Sequence, residues 1–351
     1  MYFNLQSDTG DVIVGYVVPD SFTGIPQIRV SSNGDELLVF EANEIREGLI
    51  AAGRHETGKC GFRIDSSVLP ELPNLTNLEI SDAETGMLVY RRPRKDFIEK
   101  KILRLETHLF PLWRLDDTLE PRFQYFARGA ERYGRESVSQ MFLLDIINSI
   151  YVSGRILYQN YSLYSEKANF ATVTLLQDPH NEIAERLMIL SKLDDAQISQ
   201  LGMERERFRL GPAVEFAKSL SFEDEKALTR ALRSMPKDVA AFLANPIVRQ
   251  LTAPTPDEMP RNGAVAAALD CLASFAVVGL RSQAAEFLHS VTEFLGIDAS
   301  ALPQIPQFPK VAALGRHLKE TRVVDALIEK DVELYYHVAE AHSKLEPADS
   351  T

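Results

Sequence analysis

The stretch Ala171-Thr-Val-Thr-Leu-Leu-Gln-Asp-Pro-His-Asn-Glu-Ile-Ala-Glu-Arg186 decides how the larger part of this chain is read. Apolar and β-branched residues run up to Gln177, the pattern of a strand buried on both faces. Pro179 then stands where the first turn of a helix tolerates a missing N–H. A helix that starts directly after a parallel strand presents unbonded N–H groups and the positive end of its dipole, so it is a ready anion site. Here that site carries Asp178, Glu182 and Glu185, whose charge repels the anion the backbone invites. The architecture points to a nucleotide-type site, and the side chains point away from one.

Outward from this stretch, strands alternate with helices, which predicts parallel βαβ units. Pro121–Phe126 reads as a strand and Ser137–Asn148 as a helix. Ile150–Tyr158 is a strand interrupted by Gly154. The chain is helical from 179 to about 244, with turn signals at Gly211-Pro212 and Met235-Pro236, and 252–262 is a loop. Gly263–Leu272 is an apolar helix, Phe275–Gly279 a buried strand, and Gln283–Leu295 an amphipathic helix ended by Gly296. Pro303–Pro309 is extended, Val323–His342 is a last helix, and the tail 343–351 reads as frayed.

Residues 1–92 have a different grammar. About seven short strands are separated by turn clusters, with Asn33-Gly34 as a hairpin signal and Asp82–Gly86 as the turn before the last strand. Such spacing predicts an antiparallel β-sandwich. The order Gly15-Tyr-Val-Val18, Asn33-Gly34, Arg46 to Gly53, Gly61-Phe62 and Asp82–Gly86 resembles small β-sandwich modules found beside bacterial glycosyltransferases and other cell-surface polysaccharide enzymes, over about 80 residues. The expected organisation is a β-sandwich at 1–92, a linker and connecting segment at 93–120, an α/β domain at 121–342 and a tail at 343–351. The basic run Arg91-Arg-Pro-Arg-Lys95 at the junction reads as a solvated linker, or as a contact for an anionic glycan or lipid.

Composition narrows the function classes. At 351 residues, 45% hydrophobic and 25% charged, the chain has the profile of a globular protein of two domains. Its 50 acidic and 38 basic residues leave a net charge of −12, which argues against a general nucleic-acid binder and against adhesion to an anionic membrane through bulk charge. No apolar run has the length of a membrane span and no leader pattern opens the chain, so the expected location is cytoplasmic. Cys60 and Cys271 lie far apart with no metal-binding spacing, and no metal is expected.

From about residue 120 to 340 the chain resembles the carbohydrate sulfotransferases, closest to those acting on heparan-like glycans. The resemblance is carried by an ordered series: Asn245-Pro-Ile-Val-Arg-Gln-Leu251, an Ala-rich helix leading to Leu272–Leu280, a helix ending Phe294-Leu-Gly296, and Asp325–Tyr335. It implies a P-loop-like α/β fold that binds a sulfated adenosine nucleotide and moves its sulfuryl group to a sugar hydroxyl. It also implies a glycine-rich phosphate loop, whose nearest segment is Arg132-Tyr-Gly-Arg-Glu-Ser137, with Arg132, Gly134 and Ser137 on the family's lysine, glycine and serine. Arg135 and Glu136 fall where small residues let amides approach phosphate; a plain helix over Ala130–Leu144 is the other reading. The family's second donor site follows a strand as Arg-Asp-Pro. Asp178-Pro179 survives, Gln177 replaces the first arginine, Glu182 the second, and Glu185 the serine. Losing charge-assisted pairs costs roughly 1.5–3 kcal/mol each, so ordinary donor binding is not expected.

A transferase needs a general base, for which His108, Glu106 and Glu131 are the candidates. His108 stands close in sequence to Arg104, Trp113 and Arg114, a mixture that suits a sugar-binding face, although a lone histidine near aromatics is more often a hydrogen-bonded structural residue. Tyr151, Ser153, Arg155 and Tyr158 form an aromatic-rich strand that the resemblance places beside an acceptor cleft, and that core packing explains equally well. The leading expectation is a pseudoenzyme of sulfotransferase-like fold, without a cofactor, that binds a glycan or polysaccharide-assembly proteins and is open to homo-oligomerisation. An active sulfotransferase with Arg132, Arg135 and Arg155 as replacement cations is the alternative. A structural interaction protein without a small ligand is the third reading.

Overall fold

The structure, a computed structural model, describes residues 1–200, 203 and 206–345. Residues 346–351 of the expected tail lie outside the described residues, whereas Ser343 and Lys344 belong to the last helix.

The first part holds β1 (Tyr2–Asp8), β2 (Val12–Val18), β3 (Gln27–Ser32), β4 (Asp35–Glu41), β5 (Glu44–Ile45), α1 (Glu47–Ala51), β6 (Lys59–Asp65), β7 (Leu78–Asp82) and β8 (Leu88–Arg91). They form two antiparallel four-stranded sheets, ordered β1-β2-β6-β5 and β4-β3-β7-β8. Period-two alternation sends Ile13 and Val17 of one sheet and Ile28, Val30 and Ile80 of the other into one core. Asn33 (φ 55°) and Gly34 (φ 88°) join β3 to β4, both in the left-handed region that a two-residue hairpin of this twist requires.

The second part continues with β9 (Lys101–Leu105), α2 (Trp113–Leu119), β10 (Tyr125–Ala127), α3 (Arg135–Phe142), β11 (Ile150–Gly154), α4 (Ser162–Lys167), β12 (Ala171–Leu176) and α5 (Pro179–Leu190). A helical excursion follows: α6 (Asp195–Gln200), α7 (Arg207–Lys218), α8 (Glu225–Arg233), α9 (Lys237–Leu243), α10 (Pro246–Thr252) and α11 (Ala264–Ala273). The chain then adds β13 (Val277–Leu280), α12 (Ala284–Leu295), α13 (Pro309–Lys319), α14 (Arg322–Leu327) and α15 (Glu329–Leu345). The five strands are all parallel, in the order β10-β11-β9-β12-β13. No helix among the described residues is long and apolar enough to cross a membrane.

Four expectations about element and segment bounds need correction. The segment 93–120 is not a connector, because it contains β9, the central strand of the parallel sheet. Only five residues long and carrying Arg104, β9 lacks the continuous apolar run that marks a buried strand. The helix expected over Ser137–Asn148 ends at Phe142; Leu144 and Ile147 beyond it are still buried, but from non-helical chain, while Leu143 and Ile146 are exposed. Gly211-Pro212 does not interrupt α7, which keeps Leu210, Ala213, Val214 and Ala217 on a buried face. The last helix is two helices, parted at Ile328, whose buried side chain anchors the break.

The basic junction is not a solvated linker either. Arg92 donates to both carboxylate oxygens of Asp8 (2.9 and 3.0 Å) and to the carbonyls of Leu72 and Leu75. Arg91 pairs with Glu79 and donates to the carbonyls of Glu120 and Phe123. Their partners lie far away in sequence, so a local charge run concealed a clamp. Phe3 stacks on Tyr125 at 6.1 Å, and one core continues from the antiparallel sheets into the parallel one.

Candidate functional site

In an open parallel sheet a ligand crevice forms beyond the carboxyl ends of the strands, where successive connections leave in opposite directions. Here β9 connects toward β10 and β12 toward β13, so that point lies between β9 and β12. Two loops meet there: 106–112 after β9, and Gln177-Asp178 before α5. Thr107 Oγ1 donates across the gap to Leu175 O (2.8 Å), fixing one loop to the other strand.

The β9–α2 loop is organised by a carboxylate of its own. Glu106 Oε1 accepts the backbone N–H of His108 (3.1 Å), and Oε2 accepts that of Leu112 (2.8 Å). The same two oxygens take His108 Nδ1 (2.8 Å) and Arg104 Nη1 (2.7 Å). Arg104 then grips Asp116 on α2 through Nε and Nη2, and the Tyr151 hydroxyl donates to Asp116 as well. Burial by itself would raise the pKa of Glu106; the Arg104 charge and the hydrogen bond from His108 outweigh it and hold the carboxyl well below the usual range. An ionised Glu106 can only accept, so the bond at His108 Nδ1 is donated by the ring, and Nε2 has no hydrogen-bond partner among the described residues.

The start of α5 is closed in the same way. Asp178 accepts the N–H groups of His180 (3.0 Å) and Asn181 (3.1 Å), the two amides an incoming anion would need. Glu182 and Glu185 are buried on the inner side of α5 and do not face an open crevice. Arg186 Nε pairs with Glu182 (2.6 Å); Arg281, just past β13, pairs with Glu185 (3.0 Å), which also accepts from Gln177. Burial and the neighbouring Glu182 push the Glu185 carboxyl up, against the pull of His108 and Arg281. Glu182 Oε2, Glu185 Oε1 and Ser153 Oγ are buried and, like His108 Nε2, have no hydrogen-bond partner among the described residues.

Two cavities flank the β9–α2 loop. One, of about 330 Å³, is lined by Phe110, Trp113, Arg114, Arg281 and Phe308, together with the irregular segment Pro303–Pro306. Phe110 and Trp113 stand 5.4 Å apart, and the Phe110 and Phe308 rings are well exposed. The other, of about 80 Å³, is lined by Leu109, Arg155, Arg186, Arg209, Arg249 and Glu206 among others.

The residues singled out from the sequence are not gathered in one place. Arg104, Tyr151 and His108 join the buried network, with Gln177 and Asp178 across the crevice; Trp113 and Arg114 line the aromatic cleft; Arg155 lines the small cavity. Tyr158 packs its ring edge against Phe275 (4.9 Å). Glu131 receives the Arg155 N–H (2.8 Å) and guanidinium. Arg132, Gly134, Arg135 and Ser137 follow β10, three strands from β12, roughly 14 Å away by strand spacing. There Ser137 Oγ accepts from the Met1 amino group (2.7 Å), and Glu136 pairs with Arg54 of the antiparallel part. The structure therefore does not bring this segment together with Gln177 and Asp178.

Sequence reasoning missed Asp116, Arg209, Arg249, Arg281 and Phe308. Their only signal is the gathering of separate helices and loops around one sheet edge. No group of three or more His, Cys, Asp or Glu side chains among the described residues is placed to hold a metal. No protein-family model, curated protein or solved structure matches this chain.

Proposed function

We propose that this chain is a glycan-binding protein built on a sulfotransferase-like, P-loop-like sheet whose donor site no longer takes the sulfated nucleotide, working in the assembly of bacterial surface polysaccharide. The observation that carries this reading is Glu106. Its carboxylate already bonds the amides of His108 and Leu112 in the loop after the central strand, where a phosphate cradle of that fold would present free amides. Asp178 does the same at α5. The loop from 106 to 112 contains no glycine, and a nucleotide phosphate would have to displace an ionised carboxylate tied to a buried arginine. The residues do not fit the donor.

Support for the P-loop-like part comes from the strand order, in which the first strand of the sheet is central, between the third and the fourth. Support for glycan binding comes from the 330 Å³ cleft. Aromatic faces at Phe110, Trp113 and Phe308 offer apolar platforms for sugar rings, while Arg114 and the polar edge of Gln304 offer donors for hydroxyls or acidic substituents.

Trp113 is the only tryptophan of the chain, so its emission reports on the cleft directly. Oligosaccharides of bacterial surface type should shift or quench it saturably, and adenosine 3′,5′-bisphosphate should give no heat in calorimetry. Micromolar nucleotide binding would overturn the reading in favour of an active transferase. A silent Trp113 across a glycan panel would overturn it in favour of a structural protein.

A further inference from the structure

The small cavity beyond β11 is cationic in a way that the aromatic cleft is not. Four guanidinium groups line it: Arg155 from the end of β11, Arg186 from α5, Arg209 from α7 and Arg249 from α10. Three have a carboxylate behind them, namely Glu131, Glu182 and Asp257. Arg249 has none within 4 Å among the described residues. It is 9% exposed, and its two terminal nitrogens donate only to the carbonyls of Ala241 and Phe242 (both 2.6 Å). Glu206 is the only carboxylate lining the cavity among the described residues.

Burying a guanidinium beside others of the same sign is unfavourable unless negative charge balances it. Arg249 is the one of the four without a paired carboxylate among the described residues: burial pushes its pKa down to about 10, and the charges of Arg186 and Arg209 push in the same direction, against the weaker pull of Asp331 and Glu206. Each arginine arrives from a different element, so the tertiary fold brings the four together. The volume of about 80 Å³ suits one small oxyanion or several waters, a single water needing roughly 10–15 Å³. Gln250 adds a polar side chain to the wall and is itself held by donating to Glu106 O (2.8 Å).

We propose that this cavity is a binding site for a tetrahedral oxyanion of the sulfate or phosphate class, held among Arg155, Arg186, Arg209 and Arg249. Guanidinium forks match such oxyanions with paired hydrogen bonds. The inference does not rest on the glycan reading, since the two cavities share no lining residue. They are nevertheless adjacent, because Leu109 lines one and Phe110 the other. A sugar-linked sulfate or phosphate and a free inorganic ion are the two sources of this chemistry.

The test is calorimetric titration of the full chain with inorganic sulfate and with inorganic phosphate, at constant ionic strength against chloride. Saturable binding is expected. Arg209→Gln, at the most accessible of the four positions, should weaken it about tenfold or more, the loss of one charge-assisted contact. Glu206→Gln removes the opposing charge and should tighten binding, which keeps the test decisive should an arginine variant fold poorly. No saturable heat with either anion, or equal affinity in wild type and both variants, overturns the proposal. Tighter binding of a sulfated or phosphorylated disaccharide than of the free ion would assign the source as an ester; equal affinity would assign a free ion. Neutral-sugar quenching of Trp113 unaffected by Arg209→Gln would show that failure here leaves the cleft reading standing.

Discussion

Glu106 and His108 are locked together twice: one carboxylate oxygen receives the backbone N–H of His108 at 3.1 Å and its ring Nδ1 at 2.8 Å. The pair closes the loop after the central strand around a negative charge supplied by the protein itself. The other oxygen carries that charge on to Arg104, whose guanidinium is shared with Asp116 and Tyr151. The crevice is therefore neutralised from within, with its anions already paired.

Glu106→Gln should destabilise the protein by about 3–5 kcal/mol, because it leaves the Arg104 guanidinium buried with one partner fewer. The Glu106 pKa is depressed in the native state, so the unfolded chain binds its proton more readily. Its stabilisation is full above the ordinary carboxylate pKa and is lost as pH falls toward the native value. Urea unfolding of wild type and variant from pH 3 to 7 checks both points: the gap should narrow at the acid end.

Asp331 behaves with the opposite sign. It accepts the N–H groups of Ile247 (3.0 Å) and Val248 (2.8 Å) at the start of α10, yet complete burial pushes its pKa from 3.8 up to about 6. The native state holds this proton more tightly than the unfolded chain, so its contribution is full below about pH 3.8 and lost as pH rises through about 6. A shift of that size corresponds to about 3 kcal/mol. Asp331→Asn keeps an acceptor for the cap and removes the titration. The stability of the variant relative to wild type should therefore rise between pH 4 and 7; a pH-independent difference would show that Asp331 does not titrate there.

Trp113→Ala should weaken glycan binding in the cleft tenfold or more, while leaving sulfate binding in the arginine cavity unchanged. Burial and stacking of one aromatic ring are worth about 1.5–3 kcal/mol, which sets that scale. Parallel calorimetry with a surface-type oligosaccharide and with inorganic sulfate reads the two sites separately.

Gly154→Ala should cost about 1–3 kcal/mol, against the usual stabilisation of a glycine by alanine. A Cβ there would stand 2.5 Å from Ala130 N and from Glu131 Oε2. The first of these is backbone and cannot swing away. The second holds the Arg155 N–H, so the substitution should also weaken anion binding at the cavity.

Much of the architecture was legible because it depends on local pattern. Asn33-Gly34 makes its hairpin since both residues tolerate positive φ, and Ala171–Leu176 followed by Pro179 makes its strand and helix start since apolar runs and proline geometry act over a few residues. Asp178 was visible as a negative charge at a helix start, and the structure adds that it is the cap. The break at Ile328 and the end of α3 at Phe142 were not legible, because apolar spacing continues through both and only packing distinguishes buried from exposed apolar side chains.

Taken alone, the amino-acid order determined that two kinds of structure follow each other, antiparallel strands and then strands alternating with helices, because hydrophobic period and turn chemistry are short-range properties. Tertiary structure alone decided that Lys101–Leu105 is the central strand, that Arg91 ties the antiparallel part to the parallel one, and which charges meet. A charge's energy depends on its distance to other charges and on its burial, and both are set by residues far apart in the chain: Arg104 with Asp116, Glu185 with Arg281, and the four arginines around one small cavity.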